Sequence, residues 1–248
     1  MSTPSPSRAG TPRVVVVPCL RDNYAYLVVG DGGRALVVDP SEAQPIRDAL
    51  EREGLTLAGI LCTHHHWDHV GGVLELSAEH AGLPVFAHPT DASKIEGNVT
   101  AIADDEEVEL TGLTVHALHV PGHTLGALGY RIGDALFTGD TLFAAGCGRL
   151  FEGDAQTMHA SLMRLAKAPD ATRLFVGHEY TAANLRFAAW AEPNNLEIAA
   201  KLAWALGERE AGRSTMPSSI ASERATNPFL RASNTAEFAR LRTAKNTF

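Results

Sequence analysis

The chain has 248 residues, of which 45% are hydrophobic and 20% charged, with a formal net charge of −8. That length suits one large domain with a sizeable core, or a large domain plus a small one. The acidic balance argues against a nucleic-acid partner, which needs a basic face, and no apolar run reaches the 18 residues of a membrane span.

Residues 1–12 are rich in Ser, Pro, Thr and Gly and lack the apolar stretch of a signal peptide. They are predicted to be a disordered tail. Short runs rich in Val, Leu or Ile, bounded by Gly, Pro or Asp, then predict strands at 13–17, 25–29, 35–39, 59–63, 84–87, 114–119, 129–132, 135–138 and 174–177. Helices are predicted at 44–53, where Ile46 and Leu50 fall four apart, at 73–80, and at 155–167. In the last, Met158, Leu162 and Leu165 share a face and Asp154 can cap the start. Such mixing implies an α/β layered domain.

After Tyr180 the strand signals vanish. Residues 181–211 are rich in Ala, Leu and Glu with a break at Pro193, and a second break covers 216–228. A last helix starts at Asn234, with Glu237 as capping-box partner and Phe238 and Leu241 as its stripe. The expected organisation is a tail at 1–12, an α/β domain at 13–179 and a small all-helical domain at 180–248. Cys19, Cys62 and Cys147 are odd in number and far apart, which suggests no disulfide framework and points to a reducing, cytoplasmic setting.

The strongest chemical signal is Thr63-His64-His65-His66-Trp67-Asp68-His69, directly after the strand predicted at 59–63. Three further candidate ligands, His123 in Pro-Gly-His-Thr, Asp140 in Thr-Gly-Asp-Thr and His178 in Gly-His-Glu-Tyr, also follow strands. Functional groups gather at the carboxyl ends of strands in open α/β sheets. Neutral imidazole and carboxylate suit zinc and its neighbours. Seven ligands exceed what one tetrahedral ion takes, so two ions are expected, with the two oxygens of Asp140 as the natural bridge. A water held between two such ions has its pKa depressed toward roughly 7. A lone His in a Gly-rich turn is usually structural; three imidazoles and a carboxylate within six residues are not. His65, His80, His88, His116, His119 and His159 are read as surface, core or supporting residues.

These strings, with Gly71-Gly72 and Thr-Gly-Asp-Thr-Leu-Phe, resemble the signature of the metallo-β-lactamase superfamily in its glyoxalase II branch. The resemblance runs from about Val14 to Phe248. It implies an αββα sandwich, one metal site at His64, His66 and His123, and a second at Asp68, His69 and His178, with Asp140 bridging. It implies two divalent ions, zinc foremost with iron or manganese acceptable, and Asp39 supporting the ligands from behind. It further implies a glutathione thioester as substrate, hydrolysed by a hydroxide between the ions with Asp68 and Asp140 as catalytic carboxylates. Arg149, Phe151, Tyr180, Arg242 and Lys245 would bind the glutathione part. Arg149 stands where many members have Lys, Phe151 where many have Tyr, and Asn246 where Asp commonly follows the Lys. No nucleic acid, membrane or partner subunit is implied, so a monomer acting on a small molecule is expected.

Charge agrees with an anionic ligand. Residues 224–248 hold four Arg, one Lys and one Glu, a local +4 that leaves −12 for the rest. An acidic protein repels an anion at long range, so local cations must compensate. Arg242 and Lys245 are three apart, on one helical face. A solvated helix face is the plainer explanation, and binding is favoured over it. Rival readings are less economical. A β-lactamase should lack the helical C-terminus, a persulfide dioxygenase needs one iron, a nuclease should be more basic, and a non-enzymatic binding module should have lost ligands.

Overall fold

The structure, a computed structural model describing residues 10–248, begins with a hairpin of β1 (Arg13–Cys19) and β2 (Asn23–Val29). The expected tail at 1–12 lies outside the described residues as far as position 9. β3 (Arg34–Val38), β4 (Thr56–Leu61), β5 (Val85–Ala87) and β6 (Thr100–Ala101) complete a six-stranded sheet in sequence order. From β3 onward the pairs are parallel. Parallel strands need crossover connections. These carry α1 (Ala43–Glu53), then α2 (Trp67–Val70) with α3 (Val73–Glu79), then α4 (Pro89–Ala92).

The second sheet contains β7 (Glu107–Leu110), β8 (Leu113–His119), β9 (Leu128–Ile132) and β10 (Ala135–Phe137). A small hairpin, β11 (Leu142–Phe143) and β12 (Gly146–Cys147), and helix α5 (Ala155–Leu165) follow. β13 (Arg173–Phe175) then lies parallel to β10, and β14 (Ser218–Ser219) closes that edge, giving the order β14-β13-β10-β9-β8-β7.

Side-chain alternation along the strands sets the layers. Tyr24, Tyr26 and Val28 of β2 share a core with Val115, Tyr130 and Phe137 of the second sheet. The intervening Ala25 and Leu27 meet Ile46 and Ala49 of α1 and Val73 and Leu76 of α3. On the second sheet, Leu165 of α5 covers Gly129. The result is helices, sheet, sheet, helices, and all nine predicted strands are present. The missed ones have physical reasons. Glu-Val-Glu-Leu of β7 is an exposed edge, and β6, β11, β12 and β14 have two residues each, too few for periodicity to register.

The C-terminal segment forms α6 (Thr181–Ala191), α7 (Leu196–Glu210), α8 (Ile220–Thr226), α9 (Pro228–Arg231) and α10 (Thr235–Thr247). The chain breaks at Pro193, as expected, and Asp154 and Asn234 cap α5 and α10. Glu237 returns its carboxylate to the Ser233 N–H, one residue earlier than a capping box requires. Two expectations are corrected. Ser218 and Ser219 pair with β13, so strand does recur after Tyr180, and the break predicted at 216–228 contains α8, whose N-cap Ser219 accepts from the Ser222 N–H.

Glu223 on α8 ties these helices to the β11–β12 hairpin. It is fully buried, and it accepts from the Lys201 ammonium at 2.6 Å and from the Ala145 N–H at 2.6 Å. Asn227 adds donations to the carbonyls of Phe143 and Gly146. Removing one partner of a buried ion pair strands the other, at a cost of about 3–5 kcal/mol. Glu223→Ala should therefore lose about that much stability in denaturant unfolding, and adding Lys201→Met should recover part of it. An unchanged midpoint in the single variant would show that the pair does not hold these helices in place.

Candidate functional site

The seven candidate ligands come together at one edge of the sandwich, on the loops that leave β4, β8, β10 and β13. Two groups of three have donor atoms within 4.8 Å of one another: His64, His66 and His123, and Asp68, His69 and His178. In the first, His66 Nδ1 lies 3.1 Å from His64 Nε2 and 3.0 Å from His123 Nε2. In the second, His69 Nε2 lies 3.3 Å from His178 Nε2, and Asp68 Oδ2 is 3.6 and 3.5 Å from those two nitrogens. Asp140 stands between the groups. Its Oδ2 is 3.4 Å from His123 Nε2 and 3.4 Å from His178 Nε2, and its Oδ1 is 3.3 Å from His69 Nε2.

For four of the five rings, all but His66, the opposite nitrogen explains the orientation. The Thr63 hydroxyl donates to Asp39 Oδ2 at 2.6 Å and so can accept from His64 Nδ1 at 3.1 Å. Asp39 Oδ2 also accepts from His69 Nδ1 at 3.0 Å. The Arg149 carbonyl accepts from His123 Nδ1 at 2.9 Å, and Asp22 Oδ1 accepts from His178 Nδ1 at 2.9 Å. With Nδ1 protonated by these partners, four Nε2 lone pairs point to the centre. Asn23 steadies the carboxylate member by donating to Asp68 Oδ2 at 3.0 Å. Asp22 and Asn23 were not singled out by the sequence. They sit in the β1–β2 turn with no ligand-like spacing, and only their place beside a strand end could have flagged them.

Close approach fixes two glycines. Gly139 has φ +47°, and a Cβ there would lie 2.2 Å from Thr63 Oγ1. A Cβ on Gly177 would lie 2.3 Å from Asp140 Oδ1.

The electrostatics fit a cation. Burial, reinforced by neighbouring imidazoles, holds His64 well below its ordinary pKa and His66 down at about 4. Burial likewise lowers His123. Burial opposes charge at His69 and His178 too, yet Asp140, with Asp39 at the first and Asp22 at the second, raises both. The Asp140 carboxyl, which burial alone would raise, is held well below the carboxylate range by His69 and His178. Its Oδ1 is buried and accepts no hydrogen bond. The lone pairs of His64, His66 and His123, whose charged forms burial disfavours, and an orphaned carboxylate oxygen are costly in a protein interior unless a positive charge lies among them. The donor chemistry therefore suits divalent ions of the zinc type.

A cleft of about 490 Å³ opens beside these groups, and its lining includes His66 and Asp68 together with Arg149, Tyr180, Arg242 and Lys245. Phe151 is 63% exposed and sets its ring edge against His66 and His123. Tyr180 stacks on His178 with centroids 4.7 Å apart, and burial keeps its phenol protonated well above its ordinary range. Arg242 is buried. Its Nη1 donates to the Cys147 carbonyl at 2.8 Å and its Nη2 to Asn246 Oδ1 at 3.1 Å, while its Nε has no partner. Lys245 Nζ lies over the Phe187 and Phe248 rings, and burial with the Arg242 charge lowers it to about 8. The other cations of the basic tail are surface ones. Arg224 pairs with Asp170, Arg231 with Glu192 and Arg240 with Glu237.

Comparison with known proteins agrees with this architecture. The profile of the metallo-β-lactamase superfamily matches residues 20–178, and that of the hydroxyacylglutathione hydrolase C-terminus matches 179–248. A hydroxyacylglutathione hydrolase of Alkalilimnicola ehrlichii is 49% identical over 222 residues, covering 88% of this chain and 86% of the relative. One of Acidiphilium cryptum is 44% identical, covering 94% and 95%. Among solved structures, ETHE1 from Myxococcus xanthus superposes with TM-score 0.71 at 26% identity, over 96% of this chain and 92% of that one. TTHA1623 in a di-iron-bound form gives 0.62 at 28% identity, over 89% and 100%. Two profiles that meet between residues 178 and 179, and relatives that match nearly end to end, place this chain in the hydroxyacylglutathione hydrolase family of the metallo-β-lactamase superfamily.

Proposed function

We propose that this chain hydrolyses S-(2-hydroxyacyl)glutathione thioesters, typically S-D-lactoylglutathione, to a 2-hydroxy acid and glutathione, the second step of methylglyoxal detoxification. The observation that carries the reading is one cleft lined both by five of the seven candidate donors, His66, Asp68, His123, Asp140 and His178, and by the cations Arg149, Arg242 and Lys245. The relatives bear the name of this activity. We assign His64, His66 and His123 to one ion and Asp68, His69 and His178 to a second, with Asp140 between them. The related TTHA1623 is described as di-iron-bound. A one-metal oxygenase would leave the second group of three without a purpose.

Two divalent ions, when bound, supply Lewis acidity toward a carbonyl and lower the pKa of a shared water toward about 7. The chain supplies position and charge. Asp68, whose side chain is 24% exposed, lines the cleft and can take up the proton that a water sheds there. Tyr180 offers a phenolic donor and Phe151 an apolar face beside the reacting end. Arg149, Arg242 and Lys245 hold the glutathione portion away from the scissile bond. A thiol of pKa near ~8.5 departs as thiolate without a strong general acid, so the absence of a dedicated acid among these residues is no obstacle. We place the metal-binding unit at 13–179 and the substrate-binding helices at 180–248. A cytoplasmic monomer is the setting we favour: the three cysteines are free, and among the described residues no helix is long and apolar enough to cross a membrane.

Three outcomes are expected. Metal-replete protein should carry two ions by elemental analysis; Asp140→Ala should disturb both, whereas His123→Ala should mainly release one. A stoichiometry that never exceeds one would refute the two-ion assignment. With S-D-lactoylglutathione, D-lactate and free thiol should appear in equal amounts with no oxygen uptake, and oxygen uptake on a persulfide with the thioester left intact would overturn the reaction class. Lys245→Ala should lose a charge-assisted contact of about 1.5–3 kcal/mol, roughly tenfold or more in kcat/KM, chiefly through KM. Because Lys245 is cationic only below about 8, kcat/KM of the wild type should fall as pH rises through that value. Lys245→Arg should keep its charge and move the fall upward; identical pH profiles for wild type, Ala and Arg variants would remove Lys245 from substrate binding.

A further inference from the structure

The mechanism uses three imidazoles on two separate loops, His64 and His66 after β4 and His123 after β8, yet nothing in the ligand set explains how those loops are held together. A second buried carboxylate does so. Asp91 lies on α4 and is fully buried, and its side-chain hydrogen bonds and ion pairs go to His65, Lys94 and Thr124, not to any of the seven candidate ligands. Its Oδ2 accepts from the backbone N–H of His65 at 3.2 Å and from the Thr124 hydroxyl at 3.3 Å. His65 sits between His64 and His66, and Thr124 follows His123. Asp91 Oδ2 is also 2.9 Å from His65 Nδ1, out of line for a hydrogen bond. The Lys94 ammonium closes the other side, 3.5 Å from Oδ1 and 3.2 Å from Glu152 Oε1. Glu152 in turn accepts from the Leu125 N–H at 2.7 Å. The fit is tight, since a Cβ on Gly126 would fall 2.3 Å from the Asp91 carboxylate.

We propose that Asp91 is a positioning residue for the His64–His66–His123 metal site, clamping the two ligand-bearing loops at His65 and Thr124. The proposal rests on the two-ion reading above. His65 is thereby the outward counterpart of its neighbours, turned from the centre to the clamp. The second site is supported by Asp22 and Asn23, and by Asp39, which it shares with His64 through Thr63; none of these contacts involves Asp91, so loss of Asp91 should act on one ion and not the other. An amide oxygen can still accept from both donors, whereas a methyl group leaves them unpaired.

The test is zinc binding by competition with a chromophoric chelator, read in two backgrounds. His178→Ala leaves only the first group complete, and His123→Ala leaves only the second. Asp91→Ala should weaken zinc at least tenfold in the first background and less than twofold in the second, with far-UV circular dichroism unchanged. Asp91→Asn should restore most of the loss. Equal weakening in both backgrounds, or none in the first, overturns the clamp. If Asp91→Ala does not fold, Thr124→Val, which removes one arm, should weaken the first site about threefold and spare the second; wild-type affinity there overturns the clamp equally. Parent protein that binds fewer than two zinc ions would instead sink the two-ion reading itself.

Discussion

Asp39 accepts three hydrogen bonds from the segment that follows β4: the Thr63 N–H at 2.7 Å and the Thr63 hydroxyl at 2.6 Å from the loop, and His69 Nδ1 at 3.0 Å from α2. It does so from a left-handed backbone, φ +50°, which an L side chain adopts only under constraint. Through Thr63 it fixes which nitrogen of His64 faces inward, and directly it fixes His69. The two candidate sites therefore share one anchor, planted at the end of β3 beside β4. A buried carboxylate supplies acceptors only, so His69 turns its protonated nitrogen toward Asp39, and the Thr63 hydroxyl, whose proton points to Asp39, is left to accept from His64.

That rule of support repeats around the site with different partners. A turn aspartate serves His178, a backbone carbonyl serves His123, and a helix carboxylate clamps the loops of the first triad. These supports come from the first hairpin, the Arg149 loop and α4. The C-terminal helices contribute differently. Glu223 and Asn227 grip the small hairpin after Asp140, and α10 sets Arg242 and Lys245 along the cleft. An acidic chain thus presents cations where an anionic substrate would lie.

Much of this was legible in the sequence because ligands of one ion cluster at strand ends in short strings. The cluster from His64 to His69 stood out by its spacing, whereas His123, Asp140 and His178 were joined to it by their places after strands and by the family resemblance. Arg242 and Lys245 were legible as a helical pair. The burial of Arg242 and its bond to the Cys147 carbonyl were not, because nothing local shows which carbonyl a distant loop will offer. Asp22, Asn23 and Asp91 escaped for the same reason. Each is a single polar residue whose partners lie 26 to 156 positions away. The basic tail divides on burial. Three of its arginines find surface carboxylates, as a solvated face would, and two of its cations enter the cleft. β14 was missed because a two-residue strand carries no apolar period; β7 does alternate, with Val108 and Leu110 turned to the core, but over only four residues.

The central claim is that the supports behind the histidines aim seven donors at two ions. Diffraction from zinc-loaded crystals, with anomalous maps at the metal edge, tests it directly. The account predicts two peaks, one among His64 Nε2, His66 Nδ1 and His123 Nε2, the other among Asp68, His69 Nε2 and His178 Nε2, with Asp140 contacting both. A single peak, or ions bound through the nitrogens that face Asp39, Asp22 and the Arg149 carbonyl, would contradict it.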